Sequence, residues 1–172
     1  MNNKIFLVGM TGSGKSYFSK QLAESLCCNA FDLDDVIELN EKKTISQIFS
    51  DDGEEYFRNI EAKILRSFAT EKNFVLATGG GAPCFHNNMQ WMNENGLTVW
   101  LNEKIEVLVE RLKQEKQQRP LIKNLSDDEL KNFLSNKLAE RKPFYGQAKI
   151  HCVNQNLGEL KKLLEQNIQL KT

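Results

Sequence analysis

The chain has 172 residues, with 23 Lys and Arg against 23 Asp and Glu, and 40% of its residues are hydrophobic. That length predicts one domain, spanning 1–172, with a substantial core, and zero net charge argues against a sequence-independent nucleic-acid binder, which needs a basic excess for the phosphates. No run approaches the ~18 apolar residues of a membrane span, so neither nucleic acid nor membrane is an expected partner. Lys4–Val8 (KIFLV) is a short apolar run stopped by glycines and followed by an amphipathic stretch, Lys15–Leu26, which predicts strand, tight loop and helix. Ala30–Leu33 is a second strand candidate that ends in acids. Asp34–Lys43 and Ile45–Phe49 read as short helices and Glu54–Ala69 as a longer one, with Phe57, Ile60, Ile64, Leu65 and Phe68 at helical spacing. Asn73–Ala77 is a third strand, closed by Thr78 and Gly79–Gly81, and Phe85–Asn95 is predicted helical up to Gly96.

Leu97–Leu101 is a fourth strand, and Lys104–Lys113 a helix with Ile105, Leu108, Val109 and Leu112 on one face. Gln114–Asn124 carries no period and is too long for a minimal connection, so a mobile lid is expected at about residues 113–125. Ser126-Asp-Asp-Glu129 is a capping-box signal that opens a helix running towards Pro143. Lys149–Val153 is the fifth strand and Leu157–Ile168 the last helix. Strands alternating with helices predict an α/β fold, a parallel sheet packed between helices in a three-layer αβα arrangement.

Cys27 and Cys28 are adjacent while Cys84 and Cys152 stand alone, and His86 and His151 are far apart, so neither a disulfide framework nor a zinc site is expected. A phosphate-loop pattern beginning at Gly9 leaves no room for a cleavable leader, which makes the cytoplasm the expected compartment. That pattern, Gly9-Met-Thr-Gly-Ser-Gly14-Lys15-Ser16, fits G-x-x-x-x-G-K-[ST] between a strand and a helix. Its glycines let successive N–H groups turn inward around a phosphate, and the helix N-terminus adds partial positive charge. Lys15 is placed to reach the β- and γ-phosphates and the Ser16 hydroxyl to ligate Mg²⁺.

Phe31-Asp-Leu-Asp-Asp35 puts carboxylates at the C-terminal end of the second strand, the edge where open parallel sheets bind ligands. Asp32 and Asp34 point the same way if the extended conformation continues, one holding Mg²⁺ through water and the other facing a hydroxyl acceptor. Capping of the next helix by Asp34 or Asp35 is the simpler alternative. Gly79–Gly81 also follows a strand, and three residues without Cβ either admit a ligand close to the backbone or form a plain flexible turn. Of the 23 basic residues only Arg58, Arg66, Arg111, Arg119 and Arg141 are Arg. A chain that uses Lys for nearly all its cations keeps Arg where a planar bidentate donor is needed, although Arg66 has no special neighbourhood and reads as a surface residue.

Together these residues resemble the shikimate kinase family, small P-loop kinases of the nucleoside-monophosphate-kinase type, over roughly residues 4–165. The resemblance rests on the phosphate loop, Asp32-Leu-Asp34, Phe57-Arg58 with Glu61 one turn on, Gly79-Gly80-Gly81, Arg119-Pro120-Leu121, and Arg141-x-x-x-Tyr145. It implies a five-stranded parallel sheet in order 2-3-1-4-5 with a mobile lid, and MgATP-dependent phosphorylation of the 3-hydroxyl of shikimate; a monomer is expected, although no apolar stripe beyond the core periodicity bears on oligomeric state. Lys15 and Arg119 would neutralise the transferring phosphoryl group, Ser16 and Asp32 would hold Mg²⁺, and Asp34 would accept from the substrate hydroxyl. Arg58 and Arg141 would grip the shikimate carboxylate beside Gly79, Gly80 and Gly81, within an acceptor region of about 33–61. Gly12, Ser13, Gly14, Tyr17 and Arg111 complete the expected ATP contacts, with Arg111 packing on adenine. The alternatives are another small-metabolite kinase of this build, for gluconate or a nucleoside, and a regulatory GTPase. The latter usually carries N-K-x-D, and the nearest tetrapeptide, Asn136-Lys-Leu-Ala139, lacks the Asp.

Overall fold

Five short strands lie parallel, and the central three are apolar runs buried on both faces of the sheet. The computed structural model describes residues 3–116, 122–153 and 156–169. The strands are β1 (Lys4–Val8), β2 (Asn29–Asp32), β3 (Phe74–Ala77), β4 (Leu97–Asn102) and β5 (Ile150–Val153), in the order β2-β3-β1-β4-β5. Along β1, Phe6 and Val8 enter one core while Ile5 and Leu7 enter the other, as the two-residue period of a strand requires. On the Leu7 side lie α1 (Lys15–Ser25) and α8 (Leu157–Gln169), through Phe18, Leu22, Leu160 and Leu164. The Phe6 side is covered by α2 (Leu33–Glu41), α3 (Ile45–Asp51), α4 (Gly53–Ser67), α5 (Asn88–Asn95), α6 (Ile105–Glu115) and α7 (Asp127–Tyr145). Each fully buried Phe, Leu or Ile of these cores contributes about 1.5–3 kcal/mol. Rings meet edge-on where β1, β2 and β3 adjoin, with Phe6 5.5 Å and Phe31 6.2 Å from Phe74.

The strand order reverses at β1, whose neighbours are β3 and β4, so the loop after β1 opens at the topological switch point. The expected three-layer arrangement, sheet order and capping box are all present, the last as reciprocal bonds between Ser126 and Glu129. Three local expectations are corrected. The second strand ends at Asp32, because the Asp32 side chain accepts from the Asp34 N–H at 3.1 Å and starts α2 at Leu33. The cap is therefore Asp32, neither Asp34 nor Asp35, and the extended conformation does not continue through Asp34. Helix α5 begins at Asn88, since Ala82–Cys84 form a 3₁₀ turn and His86 and Asn87 take φ of 49° and 55°.

The third correction concerns Arg66. Its Nη1 donates to Asn88 Oδ1 at 2.8 Å and to Ala62 O at 2.9 Å, and its Nη2 to His86 O at 2.6 Å. It is a tie between α4 and the segment before α5, not a solvated surface charge. In the region expected to act as a lid, α6 runs through Glu115 and Ile122 is buried in the core. Arg119, Pro120 and Leu121 lie outside the described residues.

Candidate active site

Three strands end in register, with Leu7 beside Ala77 and Ala77 beside Asp32, so the segments that follow them share one edge of the sheet. The phosphate loop leaves β1 at Gly9, which takes φ 143° and where a Cβ would stand 2.7 Å from Leu101 O. Only glycine meets both conditions. The loop closes on the N-terminus of α1, where the buried Lys15 Nζ donates to Gly9 O and Met10 O, each at 2.9 Å. Ser16 Oγ, on the first turn of α1, donates to Asp32 Oδ2 at 2.5 Å. One cap residue thus fixes both the start of α2 and the hydroxyl at the start of α1.

A cavity of about 540 Å³ joins this loop to the glycines after β3, with Gly12, Lys15, Asp34, Gly79, Gly80 and Arg111 among its lining. Burial and then the adjacent Asp32 push the Asp34 carboxyl up to about 6, against the pull of Lys15. On the loop's outer side, Arg111 Nη1 donates to Gly12 O at 3.0 Å and its Nη2 pairs with Glu103 at 3.1 Å. Tyr17 stands exposed at the cavity rim.

Gly79–Gly81 form a bare strip with different chemistry at each step. A Cβ on Gly79 would lie 3.0 Å from Asp34 Oδ1 and 3.1 Å from Glu61 Oε1. One on Gly80 would lie 3.0 Å from Arg141 Nη1, and one on Gly81 2.8 Å from Arg58 Nη2. The strip therefore carries carboxylates at one end and two guanidinium groups at the other. The strip's backbone is itself fixed, because the Tyr145 hydroxyl, one turn beyond Arg141 on α7, donates to Gly80 O at 2.5 Å. Burial pushes that hydroxyl above its ordinary range, so it stays a donor.

Glu61 belongs to the motif that carried the resemblance, yet its residue chemistry was not assigned a role. It is fully buried, its Oε2 accepts from Arg58 Nη1 at 3.0 Å, and its Oε1 has no partner. Burial pushes it up to about 7, opposed by the Arg58 charge and hydrogen bond and reinforced by Asp34. The signal in the sequence was a carboxylate in register with Phe57, Ile64, Leu65 and Phe68 on the inward face of α4. For Cys84, burial raises the thiol, which keeps it protonated.

Of the expected residues, Gly12, Gly14, Lys15, Ser16, Tyr17, Asp34, Gly79, Gly80 and Arg111 line the cavity, Asp32 meets it through Ser16, and Arg141 and Arg58 stand against Gly80 and Gly81. The shikimate kinase family profile matches residues 11–171. A shikimate kinase from Azobacteroides pseudotrichonymphae is 48% identical over 148 residues, 86% of this chain and 87% of that protein. The crystal structure of the Bacteroides thetaiotaomicron shikimate kinase superposes with a TM-score of 0.88 at 38% identity, covering 99% of this chain and 98% of that one. The solved structure of the Acinetobacter baumannii shikimate kinase in complex with shikimate gives a TM-score of 0.86 at 31% identity over 100% of this chain and 96% of that one. The chain belongs to the shikimate kinase family and is an ATP-dependent kinase of that family.

Proposed function

We propose that this site transfers the γ-phosphoryl group of ATP to the 3-hydroxyl of shikimate, giving shikimate 3-phosphate and ADP, with each residue acting as follows. Lys15 and Arg119 neutralise the transferring phosphoryl group, the second on the strength of the Arg119-Pro120-Leu121 motif alone. Gly12, Ser13 and Gly14 cradle the phosphates, with Tyr17 and Arg111 on the nucleoside side. Ser16 Oγ and Asp32 Oδ2, 2.5 Å apart, are the hard oxygen donors that Mg²⁺ prefers. That ion, when bound, neutralises phosphate charge. Asp34, ionised above about pH 6, accepts the hydrogen bond of the acceptor hydroxyl and orients it. Arg58 and Arg141 hold the acceptor carboxylate against Gly80 and Gly81.

The observation that carries this reading is the glycine strip, with carboxylates at Gly79 and guanidinium groups at Gly80 and Gly81. It matches a hydroxy acid laid along the backbone, hydroxyl towards the phosphate loop and carboxylate away from it. Phosphoryl transfer needs positioning and charge neutralisation more than covalent chemistry, and the loop and strip supply both. Family membership sets aside the gluconate, nucleoside and regulatory-switch alternatives. We place the protein in the cytoplasm as a monomer; among the described residues no helix is long and apolar enough to cross a membrane. The test is ADP release in a coupled assay with MgATP. Release must rise on adding shikimate, and an unchanged rate overturns the reading. Arg141→Ala should raise the acceptor KM by an amount equivalent to ~2–5 kcal/mol, while Lys15→Ala should lower kcat.

A further inference from the structure

Arg58 is held on more sides than its ion pairs alone require. Its Nε and Nη2 donate to Glu54 Oε1 at 3.3 and 3.1 Å, and its Nη1 to Glu61 Oε2 at 3.0 Å. A guanidinium has five N–H groups, so these three bonds leave one N–H on each Nη for a carboxylate. A Cβ on Gly81 would stand 2.8, 3.0 and 3.1 Å from Nη2, Nη1 and Cζ, which places that glycine beside the Nη end of the group. The nearest aromatic ring is Phe85, its centroid 4.3 Å from Cζ, against 5.0 Å for Phe57 and 6.0 Å for Phe49.

Phe85 is no core residue, since it is 37% exposed. It sits between the 3₁₀ turn and α5, on a segment clasped at both ends. Arg66, eight residues along α4 from Arg58, donates to His86 O and Asn88 Oδ1, and Asn88 Nδ2 donates back to Ala82 O at 2.9 Å. The left-handed turn at His86 and Asn87 carries the chain from Phe85 into α5 at Asn88. The helix that carries Arg58 thereby anchors the loop that returns a ring onto it.

We propose that Phe85 is a positioning residue for the acceptor carboxylate: its ring, delivered by the Arg66–Asn88 clasp, stacks on Arg58 and keeps the two remaining donors aimed along Gly79–Gly81. The inference rests on the reading that Arg58 holds that carboxylate. A ring over a cation both attracts it and shields one face from water, and a donor fixed before binding loses less freedom on binding.

The experiment measures kcat and both KM values for Phe85→Leu, Phe85→Tyr, Arg66→Met, Arg58→Ala and the Arg58→Ala/Phe85→Leu double variant. Phe85→Leu raises the acceptor KM about 3–10-fold and leaves kcat and the ATP KM within twofold. Phe85→Tyr keeps the parental KM, and Arg66→Met reproduces the acceptor KM rise by releasing the loop. In the Arg58→Ala background Phe85→Leu has no further effect on kcat/KM for the acceptor, because its ring acts only through that guanidinium. An unchanged acceptor KM in Phe85→Leu, an effect that persists without Arg58, or an equal loss in kcat or ATP KM overturns the inference. Should Arg58→Ala itself leave the acceptor kcat/KM unchanged, the carboxylate reading fails instead.

Discussion

Glu61→Gln tests the electrostatics of the site with a side chain of the same size. The carboxyl is fully buried, with one oxygen on Arg58 and one orphaned, and its pKa stands at about 7 against an ordinary 4.5. Between pH 4.5 and 7 the folded chain therefore binds more protons than the unfolded one, so its stability falls as pH rises through that window. At 1.36 kcal/mol per unit, the cost of carrying the charge above pH 7 is about 3 kcal/mol. Gln reproduces the protonated shape, its carbonyl accepting from Arg58 and its amide replacing the orphaned oxygen, and it stays neutral at every pH. Glu61→Gln should therefore be about 3 kcal/mol more stable than the parent at pH 8, equivalent to a Tm rise of roughly 6–12 °C in a chain of this size. The difference should shrink from pH 7 downwards and vanish below 4.5. The acceptor KM should rise, since Arg58 loses an anionic partner that fixes its orientation. Urea titrations at pH 8, 6 and 4.5 measure the effect. A variant no more stable than the parent at pH 8, or a difference that ignores pH, would refute the argument.

Asp34, raised to about 6 in the ligand-free chain, should make kcat/KM for the acceptor fall as pH drops below that value, approaching tenfold per unit, because the protonated carboxyl is a far weaker acceptor for the hydroxyl; a flat kcat/KM profile from pH 7.5 to 5 contradicts it. Gly81→Ala places a methyl 2.8 Å from Arg58 Nη2. The displaced guanidinium should lower kcat/KM for the acceptor about 10–100-fold with little change in Tm, and unaltered kinetics would show that the strip is not the acceptor floor. Cys27 occupies the left-handed position that ends α1, at φ 49°, with the Cys28 N–H bonded to Ala23 O at 3.0 Å. Cys27→Gly should raise stability by about 0.5–1 kcal/mol, read from the urea midpoint, and a lowered midpoint would contradict it.

The parts of this molecule legible in its sequence are those encoded by neighbouring residues. Apolar runs gave the strands, the Ser126–Glu129 spacing gave a helix start, and the phosphate loop declared itself because only glycines and one lysine satisfy its geometry. Asp32 was recognised as an acid at a strand end, but its capping of α2 depends on where the chain leaves the sheet, which alternation cannot locate. Partners distant in sequence were invisible. Arg66 meets His86 and Asn88 twenty or more residues away, and Phe85 meets Arg58 only because non-glycine residues accept a left-handed turn after it. The acceptor roles of Arg58 and Arg141 came from family resemblance, since nothing in local spacing places them at consecutive glycines.

The accuracy of the site is set by groups that never touch a ligand. Asp32 reaches Ser16 at 2.5 Å only while β2 and β3 keep Asp32 beside Ala77, and β3 and β1 keep Ala77 beside Leu7. A slip of one residue shifts a strand by about 3.3 Å and turns its side chains to the opposite face. Phe31 would then leave the ring cluster around Phe74, and Asp32 would lose both Ser16 and the cap of α2 that carries Asp34. The register is therefore enforced by burial of Phe6, Leu7, Phe74 and Leu76, each fully enclosed, rather than by the polar contacts that use it. The arginines follow the same logic. Arg58 is aimed by helix α4 and by Phe85, and Arg141 stands one turn from the buried Tyr145 that fixes Gly80. A chain with no net charge can thus concentrate two guanidinium groups and two carboxylates along three glycines, because the surrounding apolar core determines where each is held.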